Sequence, residues 1–162
     1  FTNIEREPHT TKVSKALERM EFALQSVSNV WRSVLAVPVY VEMISSVLEF
    51  CLSTFIGHVV ALDVISVSAS ESLGEWFEQI ANWPANCWID TTGRDANRTV
   101  SRLALKAQLL AKMMNARMVE ILAMWEDGTL PGADFAAWEV RSLITAVFES
   151  SENRMECLSR IL

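Results

Sequence analysis

Residues 38–65 constrain the fold of this 162-residue chain more than any other stretch. Val41, Ile44, Leu48, Cys51, Phe55, Val59 and Leu62 recur at alternating steps of three and four. On a helix of about 3.6 residues per turn, that spacing draws one straight apolar stripe. The reverse face begins polar with Glu42, Ser46, Glu49 and Ser53, then turns apolar at Ile56, Val60 and Val64. Such a helix belongs at the centre of a core and is covered from two sides in its second half. No stretch alternates at period two between turn residues, so the expected class is all-α.

The neighbouring stretches supply what covers it. Val13, Leu17, Met20, Leu24, Val27, Trp31 and Val34 follow a heptad seam, which predicts a first helix after a frayed lead-in over residues 1–10. A short link leads to Pro38, placed in a first helical turn where its missing N–H costs nothing. The second helix therefore either folds back on the first or continues it with a kink. Ser68 and Glu71 have the spacing of a capping box, opening a third helix with Leu73, Trp76, Phe77 and Ile80 on its face before Trp83-Pro84 ends it. Residues 84–97 lack a period and read as the main loop, pinned by Trp88. A fourth helix is expected over 98–127, with Leu103, Ala107, Leu110, Met114, Ile121 and Trp125 on one face and Leu105, Leu109 and Met113 on another. Gly128 closes it. A fifth over 136–149 buries Val140, Leu143, Ile144, Val147 and Phe148, and a last segment over 152–162 offers Met155, Leu158 and Leu162. The expectation is a single helical domain over 1–162, of about five or six helices.

Composition narrows the function. A chain of 18.2 kDa with 51% hydrophobic residues is one domain that spends part of its apolar surface on a partner. Its net charge of -6 opposes a general nucleic-acid or anionic-membrane binder, which needs a positive field. Glu42, Glu49, His58 and Asp63 interrupt residues 38–65, so no membrane span or direct insertion is expected. Cys51, Cys87 and Cys157 are odd in number and scattered, against a disulfide scaffold and in keeping with a reducing compartment. The sequon Asn97-Arg98-Thr99 is a tripeptide common by chance. The chain opens at Phe1 with no signal sequence and reads as a C-terminal fragment of something longer.

Reactive constellations are scarce. Cys51 and His58 lie seven apart on the second helix, half a metal site at most; both read as core, since zinc requires four ligands. Arg94, Arg98, Arg102 and Lys106 fall four apart, a basic row that reads as a solvated face. Met113, Met114, Met118 and Met124 read as core filler rather than as an adaptable binding face. With no phosphate loop and no nucleophile elbow, catalysis has no candidate and no cofactor is expected. The competing class is a ligand-binding bundle in which Cys51, His58 and the methionines line a pocket.

Three blocks carry a family resemblance: Trp31-Arg32-Ser33-Val34-Leu35, Ala61-Leu62-Asp63-Val64-Ile65-Ser66, and Trp125-Glu126-Asp127-Gly128 with Pro131, followed by Glu139 through Phe148. Together they resemble the C-terminal region of the zeste-white ten centromere and kinetochore family, the Dsl-type subunits of vesicle tethers. The resemblance implies a stack of antiparallel helical bundles of the tethering-complex (CATCHR) type, without enzymatic activity. It implies two assemblies. One is the Rod–Zwilch kinetochore complex that recruits dynein for the spindle checkpoint; the other is an endoplasmic-reticulum tether that captures Golgi-derived retrograde vesicles and engages SNAREs. The partner implied for this region is a Rod-like or neuroblastoma-amplified (Sec-thirty-nine-like) subunit, with a Rad-fifty-interactor-type subunit bound elsewhere. The implied location is cytoplasmic, peripheral to the endoplasmic reticulum, and at the kinetochore or spindle in mitosis.

One surface stands out as a partner-binding candidate. With Val140 at the middle of the fifth helix's inner face, Trp138 falls on the far side, among Arg141, Ser142, Thr145 and Glu149. Tryptophan and arginine are the residues most enriched at interface hot spots. The competing reading folds Trp138 back over residues 129–135, where it pins that loop.

Overall fold

The computed structural model describes residues 7–89 and 97–162. Every regular element among them is a helix: α1 (Glu7–Val34), α2 (Val37–Val60), α3 (Val67–Ala81), α4 (Trp83–Asn86), α5 (Arg98–Asn115), α6 (Met118–Glu126), α7 (Thr129–Gly132), α8 (Ala137–Val147) and α9 (Glu152–Arg160). Apart from the single turns α4 and α7, seven helices are present among the described residues, more than the five or six expected. The extra one arises because the stretch read as one helix over 98–127 is two. No proline or glycine marks the break. Instead, the Ser70 hydroxyl donates to the Met114 carbonyl, which in an unbroken helix bonds the N–H of residue 118. The Glu120 carboxylate then accepts the Arg117 backbone N–H at 2.7 Å and its guanidinium at 2.9 Å, giving α6 its own start.

α2 folds back on α1. Along α1, Ser14 meets Trp76 and Glu21 meets Gln79 and Asn86, so α1 runs parallel to α3. Along α2 the order reverses: Tyr40 bonds the Cys87 carbonyl, and Phe55 meets the Trp83 ring edge-on at 5.8 Å. A buried chain of hydrogen bonds fixes the turn end of the hairpin, Ser28 to Tyr40 at 2.6 Å and Tyr40 on to Cys87. Further along the chain, α3 and α5 lie antiparallel and very close. An added Cβ on Gly74 would come within 2.5 Å of the Asn115 amide nitrogen and 3.5 Å of the Ala111 carbonyl.

Among the described residues the core has two apolar clusters. One holds Leu17, Leu24, Ile44, Leu48, Leu52 and Trp83 between the hairpin and α3–α4; the other joins α3 and α5 to α6–α9. Phe55, Trp76 and Leu103 pack against both. α2 passes from one to the other because its buried residues Tyr40, Ile44, Leu48, Leu52 and Ile56 recur in steps of four, and each such step turns the face about 40° round the helix. That rotation covers α2 on two sides in its second half. Val64 is 78% exposed, because the helix ends at Val60. Contrary to the sequence reading, α2 is long and apolar enough by composition to cross a bilayer. In this fold its inward residues complete both clusters, while Glu42 and Glu49 face solvent.

Other local expectations shift. α1 is already helical at Glu7. The cap of α3 is Ser66, whose hydroxyl accepts the Ala69 N–H, and Ser68 lies inside the first turn. Trp88 does not pin a loop by burial: it is 61% exposed, and Arg32 stacks on its ring at 4.4 Å. At α9 the inward residues are Cys157 and, just past its end, Ile161; of the three expected, Leu158 is half-buried against the larger cluster, whereas Met155 and Leu162 are 61% and 91% exposed. The misreading has a cause: Arg154 shares the inner face, so that face looks polar.

Candidate partner-binding surface

α8 is held from inside. Val140, Leu143 and Ile144 are buried in the larger cluster. Glu139 accepts the Ala136 N–H at 2.8 Å, closing the first turn. The same carboxylate takes the Lys106 ammonium on both oxygens at 2.7 Å, and Lys106 also donates to the Asp134 carbonyl at 3.0 Å over the Phe135 ring. Only 11% of the Lys106 side chain and 12% of the Glu139 side chain is exposed. This interior ion pair locks α8 against α5 and the turn before it.

With Val140 and Glu139 facing inward, Trp138 is turned out and is 63% exposed. It borders an open groove of about 460 Å³ whose other walls are Val60 at the end of α2, residues 61–63 after it, Ser142, Thr145 and Leu158.

The five predicted residues play different parts. Trp138, Arg141, Ser142 and Thr145 line the groove together, and Glu149 lies outside it. Arg141 is not a free hot-spot cation, because its Nη1 donates to the Leu158 carbonyl at 2.7 Å and the Ile161 carbonyl at 3.2 Å, at the C-terminus of α9. Arg154 returns the exchange, donating to the Phe148 carbonyl at 2.6 Å and the Thr145 carbonyl at 3.3 Å at the end of α8. Each helix thus has its carbonyl end capped by an arginine of the other, favoured by hydrogen bonding and by the dipole. The Thr145 hydroxyl is spent on the Arg141 carbonyl. Sequence reasoning missed the wall formed by residues 60–63, because it carried the second helix through them.

The remaining candidates separate. His58 is exposed rather than core, Cys51 is half-buried, and the described residues contain no group of three His, Cys, Asp or Glu able to hold a metal ion. Arg94 lies outside the described residues. Arg102 pairs with the Asp134 carboxylate at 3.0 Å, and Lys106 is inside, so the basic row is not a solvated face along its length. Met113 and Met114 are buried in the larger cluster, and Met118 and Met124, partly buried, pack against that cluster. Cys51 belongs to the other cluster, so the methionines and the Cys51–His58 pair do not line one pocket. All three cysteines are free thiols, and burial pushes the Cys87 thiol up to about 11. Asn97 caps α5 by accepting the Val100 N–H at 3.1 Å.

Comparison with known proteins adds a family to this geometry. Residues 15–161 match the family model described as the ZW10 C-terminal helical domain. The chain is 26% identical over 170 residues to a centromere/kinetochore protein zw10 homolog of Rattus norvegicus, covering 99% of this chain and 22% of the relative. It is 28% identical over 141 residues to centromere/kinetochore protein zw10 of Drosophila melanogaster, covering 86% of this chain and 19% of that protein. A homolog from Arabidopsis thaliana is 25% identical over 151 residues, covering 90% of this chain and 20% of that protein. The chain spans about a fifth of the length of these curated relatives.

Proposed function

Because the chain belongs to the ZW10 C-terminal helical domain family, we propose that it is a non-enzymatic scaffold module of a multisubunit complex. The observation that carries this reading is the match of residues 15–161 to a domain of proteins named for the centromere and kinetochore. The groove beside Trp138 takes the Rod-like or neuroblastoma-amplified (Sec-thirty-nine-like) subunit. Zwilch and the Rad-fifty-interactor-type subunit complete the assemblies through other regions. At the endoplasmic reticulum the module helps to tether Golgi-derived retrograde vesicles with SNAREs. Where the organism has the Rod–Zwilch complex, it also serves dynein recruitment and the spindle checkpoint.

Following the tagged full-length protein through the cell cycle tests this reading. Cytoplasmic signal on the endoplasmic reticulum in interphase is the expected result, joined by kinetochore signal in mitosis where that complex exists. Absence from both places overturns it.

A further inference from the structure

The outer side of the α1–α2 hairpin carries apolar residues that nothing among the described residues covers. On α1, Val27, Val30 and Val34 are 39%, 60% and 72% exposed; on α2, Val39, Met43 and Phe50 are 45%, 41% and 71% exposed. Their spacings are those of a heptad seam. Measured from the buried directions of Leu24 on α1 and Ile44 on α2, at 100° per residue, both sets lie roughly 60° to 140° round in the same rotational sense. The opposite flank of α1 meets α3 through Ser14 and Glu21, and the opposite flank of α2 carries the buried Ser45, Leu52 and Ile56. In an antiparallel pair arranged this way, the two stripes border one furrow between α1 and α2, on the side away from α3.

The charges beside the furrow differ by edge. Arg19 and, further round, Lys15 lie beyond the stripe on α1, and Glu42 and Glu49 beyond the stripe on α2. None of the four has an ion-pair partner among the described residues. A furrow between two helices with heptad-spaced apolar walls has the shape that a third helix fills with knobs in holes. Its edges, basic along one side and acidic along the other, favour an occupant of opposite arrangement.

We propose that this furrow docks an amphipathic helix from outside these 162 residues, with an apolar heptad seam, acidic residues along the edge facing α1 and basic residues along the edge facing α2. The surface is separate from the Trp138 groove, and the proposal stands independently of the family reading.

The test uses the whole chain and three synthetic helical peptides of about 21 residues, or three heptads. All share one leucine and isoleucine seam. One has Glu on one edge and Lys on the other, one has Glu on both edges, and one has Lys on both. Fluorescence anisotropy at low salt should show the mixed peptide binding at least five-fold tighter than either uniform one. V30S and F50S, both at exposed positions, should each weaken it at least ten-fold with an unchanged Tm. E42K combined with E49K should transfer the preference to the peptide with Glu on both edges. Equal binding of all three peptides, or none, overturns the proposal. Sedimentation showing a concentration-dependent dimer that F50S abolishes assigns the face to a second copy instead. Adsorption to phosphatidylcholine and phosphatidylserine vesicles that F50S abolishes, without peptide binding, assigns it to a lipid surface.

Discussion

Replacing Lys106 with methionine should destabilise the domain by about 3–5 kcal/mol, the cost of leaving a buried charge without its partner. The Glu139 carboxylate is 12% exposed and takes the Lys106 ammonium on both oxygens. Methionine fills much of the space of the lysine stem, so the loss reports the charge rather than a cavity. The double variant Lys106→Met with Glu139→Gln tests the cause. Glutamine keeps an acceptor for the Ala136 N–H and removes the orphaned charge, so roughly half of the lost stability should return. Urea unfolding midpoints measure both. A double variant no more stable than Lys106→Met would show that the ion pair is not what holds α8 to α5.

Trp83→Ala should cost a similar amount, about 3–5 kcal/mol, through the cavity it opens. The ring is 1% exposed, in the cluster under the α1–α2 hairpin, with Phe55 edge-on at 5.8 Å. Trp83→Phe keeps most of the apolar volume and removes an indole N–H that has no acceptor among the described residues. Its cost should therefore be at most about half that of the alanine variant. Equal costs for the two variants would mean that the loss does not scale with the volume removed.

How far the sequence foretold these features depends on the physics of each. Helices resting on an apolar stripe, such as α2 and α8, were legible because burial imposes a period on residue type. The break after Asn115 was not, because it depends on the Ser70 hydroxyl of another helix taking the Met114 carbonyl. Lys106 was read as a solvated cation because a lysine in a four-step row resembles one; only the fold brings Glu139 to it. His58 sat among apolar neighbours in the sequence, yet the drift of the buried face in steps of four turns it outward. Of the candidate surface, Trp138 was legible from its phase against Val140. The role of Arg141 was not, since nothing local places the end of α9 beside it.

On the function proposed above, this domain docks a helical subunit through the groove beside Trp138. Titration calorimetry of the chain against the Rod-like subunit, for the unmodified protein and for Trp138→Ala, tests it most directly. Arg141 is left intact in that experiment because it caps α9. Measurable binding by the unmodified chain is expected, with a loss of about 2 kcal/mol or more in the variant, the size of an interface hot spot, and a melting temperature unchanged because Trp138 is 63% exposed. Undiminished binding by Trp138→Ala, or a fall in stability that accounts for its weaker binding, would contradict it.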